Sequence, residues 1–143
     1  MVKISLAYTF VLLFSGLSAQ KVSPVSWKFD IRVINKSEVE ITATADITKG
    51  WVTYSQFTDP DGPIPTEFVI GDVKINFEEK SKAVKEMDEM FGVEVIKFKD
   101  KAIFVKTMPM PATGKVDGYV SYMTCDGARC LPPVDVNFSL SAK

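Results

Sequence analysis

An all-β sandwich of two antiparallel sheets is the fold class this sequence predicts, and three features carry that reading. Apolar and polar residues alternate with a period of two over long stretches from residue 25 onward, the pattern of strands with one buried face. Turn-forming residues interrupt those stretches at short intervals and leave about eight short strands, the layout of a two-sheet sandwich. Only one segment, residues 78–90, has the composition of a helix.

Trp27, Phe29, Ile31 and Val33 alternate with Lys28, Asp30 and Arg32, and Lys36-Ser37 breaks the run. Val39, Ile41, Ala43, Ala45 and Ile47 then alternate with Glu38, Glu40, Thr42, Thr44 and Asp46, so the two stretches read as an antiparallel pair. Lys49-Gly50 ends the second strand, and Trp51 to Phe57 begins a third. Thr58 to Pro65 is a loop, because its prolines remove donors and Asp61-Gly62 favours a turn. Further strands are predicted at Thr66–Ile70, Val73–Phe77, Val93–Phe98, Ala102–Lys106, Gly118–Tyr122 and Val134–Leu140. Glu78 to Met90 is the ambiguous segment. It is rich in helix formers, and Ala83, Val84, Met87, Met90 and Phe91 recur at helical spacing, so a partly helical excursion between strands is expected.

The chain has 143 residues, enough for one domain, with 46% hydrophobic and 24% charged residues. Lys3 followed by an apolar stretch from Ile4 to Phe14 and by small residues reads as a signal peptide, with cleavage expected after Ala19. Leu17, three residues before that point, is bulkier than usual and leaves a retained anchor open. Residues 20–143 then form one exported domain, expected to be monomeric. A formal net charge of −1 provides no basic field for nucleic acid.

The absence of histidine excludes the usual Ser-His-Asp and Cys-His hydrolases. A zinc site would need at least two more good ligands than the two cysteines supply, so neither a metal nor another cofactor is expected. The acidic clusters around Glu78 and Glu86–Glu89 read as solvated surface, with an acid-dependent hydrolase as a remote alternative.

Cys125 and Cys130 remain. In an exported protein they are expected to pair, and such a bond either staples a loop or exchanges electrons. A ring this small stabilises by only roughly 2 kcal/mol in the chain-entropy description, against nearly 5 for a hundred-residue loop. The intervening Asp126-Gly127-Ala128-Arg129 suggests an exposed turn, open to attack by a partner thiolate. Arg129 beside Cys130 favours a thiolate there, and Asp126 beside Cys125 opposes one, so the pair is asymmetric.

The run from Gly118 to Pro133, in which an aromatic strand enters Cys125, a polar turn, Cys130, Leu131 and Pro132-Pro133, resembles the N-terminal periplasmic domain of the transmembrane reductase DsbD, the "disulfide bond corrector" family. Gly50-Trp51-Val52-Thr53-Tyr54 is similar to that family's Gly-aromatic strand, and Asp88-Glu89-Met90-Phe91-Gly92 to its cap loop. The likeness extends over roughly residues 25 to 141. It implies an immunoglobulin-like sandwich and thiol-disulfide interchange in the periplasm. Electrons would arrive from a thioredoxin-like domain of a membrane-linked reductase and leave to periplasmic thioredoxin-like partners, including those of cytochrome c biogenesis. It further implies that Cys130 forms the mixed disulfide, that Cys125 resolves it, and that Asp88, Glu89, Met90 and Phe91 cap the pair, with Tyr54, Tyr122 and Arg129 packing around it. Three departures stand out: the cysteine turn is one residue shorter, Met90 occupies an aromatic position, and no transmembrane or thioredoxin-like segment is present to act as donor. The competing reading is a non-catalytic immunoglobulin-like binding module whose disulfide only shapes a loop.

Overall fold

The computed structural model describes residues 23–142; the expected signal peptide lies outside them. Every regular element among these residues is a strand. One sheet contains β1 (Val25–Val33), β2 (Glu38–Ile47), β6 (Glu78–Glu79) and β9 (Lys101–Pro109), in the order β1-β2-β9-β6. The other contains β3 (Val52–Tyr54), β4 (Glu67–Ile70), β5 (Val73–Ile75), β7 (Val84–Asp88), β8 (Val93–Phe98), β10 (Lys115–Cys125) and β11 (Cys130–Ser141). All pairings are antiparallel, and the predicted all-β sandwich is the observed fold.

The alternation in β2 does what its period dictates: Val39, Ile41, Ala43, Ala45 and Ile47 are buried. Ala45 and Ala43 lie opposite Trp27 and Phe29 of β1, so small side chains leave room for large rings. Trp27 meets Phe104 of its own sheet at a ring-centroid distance of 5.8 Å and Tyr122 of the other sheet at 5.5 Å, and Phe68 stacks on Phe77 at 4.1 Å. Aromatic pairs at such separations add to the burial of their own surface. Tyr122 therefore belongs to the main core.

β10 is the spine of the larger sheet. Along one edge it pairs with β4 through residues 118–121 and then with β3 through Thr124 and Cys125; β11 follows its other edge throughout. Gly118 sits where this sheet is tightest. A Cβ there would meet the Val69 carbonyl oxygen at 2.3 Å and the Phe138 ring at 2.7 Å, so glycine permits the ring of its cross-strand partner to lie over the backbone.

Residues 78–91 differ from expectation. They contain β6, β7 and a turn, and no helix. Their charges are satisfied across strands instead of along a helix: Lys85 pairs with Glu94 at 2.9 Å, and Glu86 pairs with Lys97. Backbone pairing with β8, from Val84 opposite Lys97 to Asp88 opposite Val93, outweighs local propensity.

Replacement Gly118→Ala is expected to destabilise the domain by about 1–3 kcal/mol through overpacking against backbone and Phe138. The midpoint of chemical denaturation measures the loss, and an unchanged midpoint would refute the close approach as a constraint.

Candidate functional site

The site begins at the tip of the β10–β11 hairpin. Cys125 and Cys130 are cross-strand partners, joined as a disulfide with their Cα atoms 4.0 Å apart. The turn between them is organised by Asp126. Its Oδ1 accepts from the backbone N–H groups of Ala128 at 3.0 Å and Arg129 at 2.9 Å, and its own N–H donates to the Arg129 carbonyl at 3.0 Å. Gly127 supplies the positive φ of 89° that the turn requires. These backbone donors hold the Asp126 carboxyl below the usual carboxylate range, with Arg129 adding to the effect.

Just behind the tip the ladder is irregular. Tyr122 opposes Val134 and Thr124 opposes Leu131, so Met123 faces the Pro132-Pro133 pair across a bulge. Prolines without N–H groups fit at such a break. Beyond it, Thr124 Oγ1 donates to the Val52 carbonyl at 2.7 Å and Thr53 Oγ1 to the Met123 carbonyl at 3.1 Å. The tip is thereby fastened to β3.

A second, smaller core surrounds the disulfide, separate from the main one. Tyr54, Val95 and Cys125 are its buried members, with Val52, Phe91, Val93, Met123 and Cys130 packed against them. Cys125 is only 2% exposed, which corrects the expectation that both cysteines lie open on a turn. Cys130 is half-buried. The difference follows from pairing: Cys125 has β3 on one side and β11 on the other, whereas Cys130 has a partner strand on one side.

The β7–β8 turn covers what remains. Asp88 Oδ1 accepts from the N–H groups of Met90 at 2.9 Å and Phe91 at 3.3 Å, and Gly92, at φ 70°, donates to the Asp88 carbonyl at 2.7 Å. This brings Met90 Sδ to 3.7 Å from Cys130 Sγ, while Phe91 packs into the small core behind. The loop after β3 braces the same turn: Gly62 is so close that a Cβ would meet Val93 Cγ2 at 2.7 Å and Phe91 Cβ at 3.5 Å. Between the cap and the cysteine turn runs a groove of about 430 Å³, lined by Tyr54, Glu86, Asp88, Met90, Lys97 and Cys125 among others.

The structure thus brings Cys125, Cys130, Asp88, Met90, Phe91 and Tyr54 together, and Glu89 joins them on the groove wall. Tyr54 is held up to about 12 by burial and, secondarily, by the charge of Asp88, so it stays protonated at neutral pH. Tyr122 does not line this groove; burial raises its phenol as well. Arg129 is turned aside. Its guanidinium lies 5.6 Å from the centre of the Trp51 ring, a cation–π distance, and its Nε is 3.6 Å from Asp126 Oδ2. Val95 and Met123 are site residues that sequence reasoning did not single out, whereas Trp51 entered only within the Gly50–Tyr54 stretch, without a role of its own. Among the described residues no cluster of three or more Cys, Asp or Glu is arranged to hold a metal ion.

No protein-family profile matches the sequence, and no curated protein matches it. Two solved structures are similar. The N-terminal periplasmic domain of ScsB from Proteus mirabilis superposes with a TM-score of 0.68 at 13% identity, over 87% of this chain and 49% of that one. The DsbD N-terminal domain of Neisseria meningitidis, in its reduced form, gives a TM-score of 0.50 at 20% identity, over 74% of this chain and 83% of that one. The chain has the fold of a DsbD N-terminal domain. That fold is an immunoglobulin-like sandwich, in agreement with the resemblance seen in the cysteine hairpin. The chain spans about half the length of the ScsB domain it matches. Among the described residues no helix is long and apolar enough to cross a membrane.

Three carboxyls contribute to the acid limb of stability. Asp126 is lowered by backbone donors, Asp46 by hydrogen bonds from Lys28 and Lys101, and Glu86 by its hydrogen bond from Lys97. A depressed folded-state value stabilises above the ordinary carboxylate pKa of about 4, and the contribution is lost as pH falls through and below it. Denaturation midpoints are therefore expected to drop between pH 5 and 2 (about the range of such titrations), and Asp126→Asn, which keeps an acceptor but not the charge, should flatten that slope. Identical slopes for the two proteins would show that the turn carboxylate is not titrating as described.

Proposed function

We propose that this is an exported thiol-disulfide exchange domain, passing reducing equivalents between thioredoxin-like partners through the Cys125–Cys130 pair. The observation that carries the reading is the unequal setting of the two sulfurs. Cys125 is enclosed in the small core, whereas Cys130 is half-exposed with the Met90 sulfur against it.

In the accepting direction, a partner thiolate attacks Cys130 Sγ in line with the disulfide. The bond to Cys125 breaks, and Cys125 leaves as a thiolate. The partner's second thiol then attacks the mixed disulfide, leaving as its own disulfide and releasing Cys130. Two electrons enter the domain, and two protons complete the dithiol. Delivery reverses these steps: Cys130 attacks a client disulfide, and Cys125 displaces the reduced client. Attack at Cys125 is opposed by its burial.

The cap determines when this happens. Asp88 and Glu89 put negative charge beside the pair and disfavour its thiolates while the turn is closed, so the resting dithiol is protected from adventitious oxidants. Arg129, held by Trp51 and Asp126, keeps the turn in shape and is not the group that activates Cys130. The periplasm is the compartment that suits this chemistry, and the similar ScsB domain is a periplasmic one.

A Cys125→Ser variant is expected to trap a mixed disulfide through Cys130 with a thioredoxin-like protein, and Cys130→Ser to trap none. The wild-type couple is expected to be more oxidising than about −300 mV, the region below which structural disulfides fall. A pair that glutathione buffers cannot reduce without unfolding the domain would sink the carrier reading and leave an immunoglobulin-like binding module with a structural bond.

A further inference from the structure

Met90 is the methionine whose sulfur touches the disulfide, 3.7 Å from Cys130 Sγ. It is also 46% exposed, so peroxide in the surrounding solution reaches it. Nothing else in the cap depends on its side chain. The turn is held by the Asp88 carboxylate, by Gly92 and by Phe91 packing behind. The hydrogen bonds of the turn therefore do not involve the thioether, and its sulfur is the cap atom set against Cys130 Sγ.

We infer that Met90 is a peroxide-sensitive modification site, and that its conversion to the sulfoxide uncovers Cys130 for exchange. The thioether sulfur donates an electron pair to one peroxide oxygen, the O–O bond breaks, an S=O bond forms and water leaves. Sulfur loses two electrons and peroxide gains them. The product carries a polar, partly negative oxygen on the atom that was packed against a sulfur. That oxygen is poorly placed in the groove, because Asp88, Glu89 and Asp126 line it, while the Lys97 ammonium that also lines it is already paired with Glu86. Repulsion and hydration both draw it outward, and the sulfur leaves Cys130 with it.

The neighbouring methionines do not substitute. Met123 Sδ already accepts the Ile64 N–H at 3.4 Å and is packed into the small core. Met87 is 66% exposed and oxidisable, but the sulfur contact to the disulfide is made by Met90. An aromatic residue at position 90 would shield equally well and would not respond to peroxide, so the thioether gives this cap an input that a ring lacks. The inference rests on the exchange reading for its use, since a purely structural disulfide has no need of a gate.

The test begins with the oxidised protein, in which both cysteines are paired and only methionines react readily. After brief hydrogen peroxide treatment and removal of peroxide with catalase, peptide mass mapping should find the gain of about 16 Da of a sulfoxide at Met90. The rate of disulfide reduction by dithiothreitol should rise about fivefold with Cys130 uncovered. Met87→Leu should keep that response, and Met90→Leu should lose it. The inference is overturned if Met90 resists oxidation while Met87 is converted, if the rate is unchanged with Met90 fully oxidised, or if Met90→Leu still responds. Because dithiothreitol reports access to the sulfur and not recognition by a protein, a failed partner trap and a failed peroxide response remain separate results.

Discussion

Pairing of the last two β10 residues on both edges is the constraint on which the site depends. Thr124 lies between Thr53 and Leu131, and Cys125 between Val52 and Cys130. That double pairing buries one sulfur and leaves the other on the rim. It also delivers Tyr54 and Val95, through β3 and then β8, to the back of the disulfide. Without β3 on the free edge of β10, the hairpin tip would be an ordinary exposed turn with two equivalent cysteines.

The surrounding charges and rings serve geometry first. Asp126 and Asp88 do the same thing on facing turns: each uses one carboxylate oxygen to hold two successive backbone N–H groups. Both turns are thus set by local hydrogen bonds, with a glycine at positive φ in each. The consequence is a groove between the two turns, lined by the turn-shaping Asp88 and Asp126 together with Glu86, Glu89 and Lys97. Arg129 is drawn to Trp51 and Asp126, so its charge is not committed to the sulfurs.

Much of this was legible in the sequence where one local rule acted alone. Alternation in 25–33 and 38–47 marked β1 and β2 to within a residue or two, because one face of each meets the same core. The cysteine hairpin and the Asp88–Gly92 cap were recognisable as motifs. The failures have a common cause in long-range pairing. Residues 78–91 carry helical propensity, yet β8 offers them a backbone ladder and oppositely charged partners that no local pattern records. Cys125 sits among polar neighbours in sequence, and its burial comes from Val52, Tyr54 and Val95, which are remote along the chain. Arg129 adjoins Cys130 in sequence but finds Trp51 in space.

The division into two cores bears on how a disulfide can cycle without the domain coming apart. The main core holds Trp27, Phe29, Phe68, Phe104, Tyr122 and Phe138, and none of its contacts requires the sulfur–sulfur bond. The bond closes a ring whose entropic value is only roughly 2 kcal/mol, a small sum beside the burial of those rings. The ring spans only the hairpin tip, and the pairing of β10 with β4 and β11 from Lys115 to Tyr122 lies outside it. A disulfide placed between distant strands would stabilise more, and its reduction would disturb more. Local placement at a braced tip confines the bond to one hairpin end, which is the arrangement the proposed electron carrier would need from its scaffold.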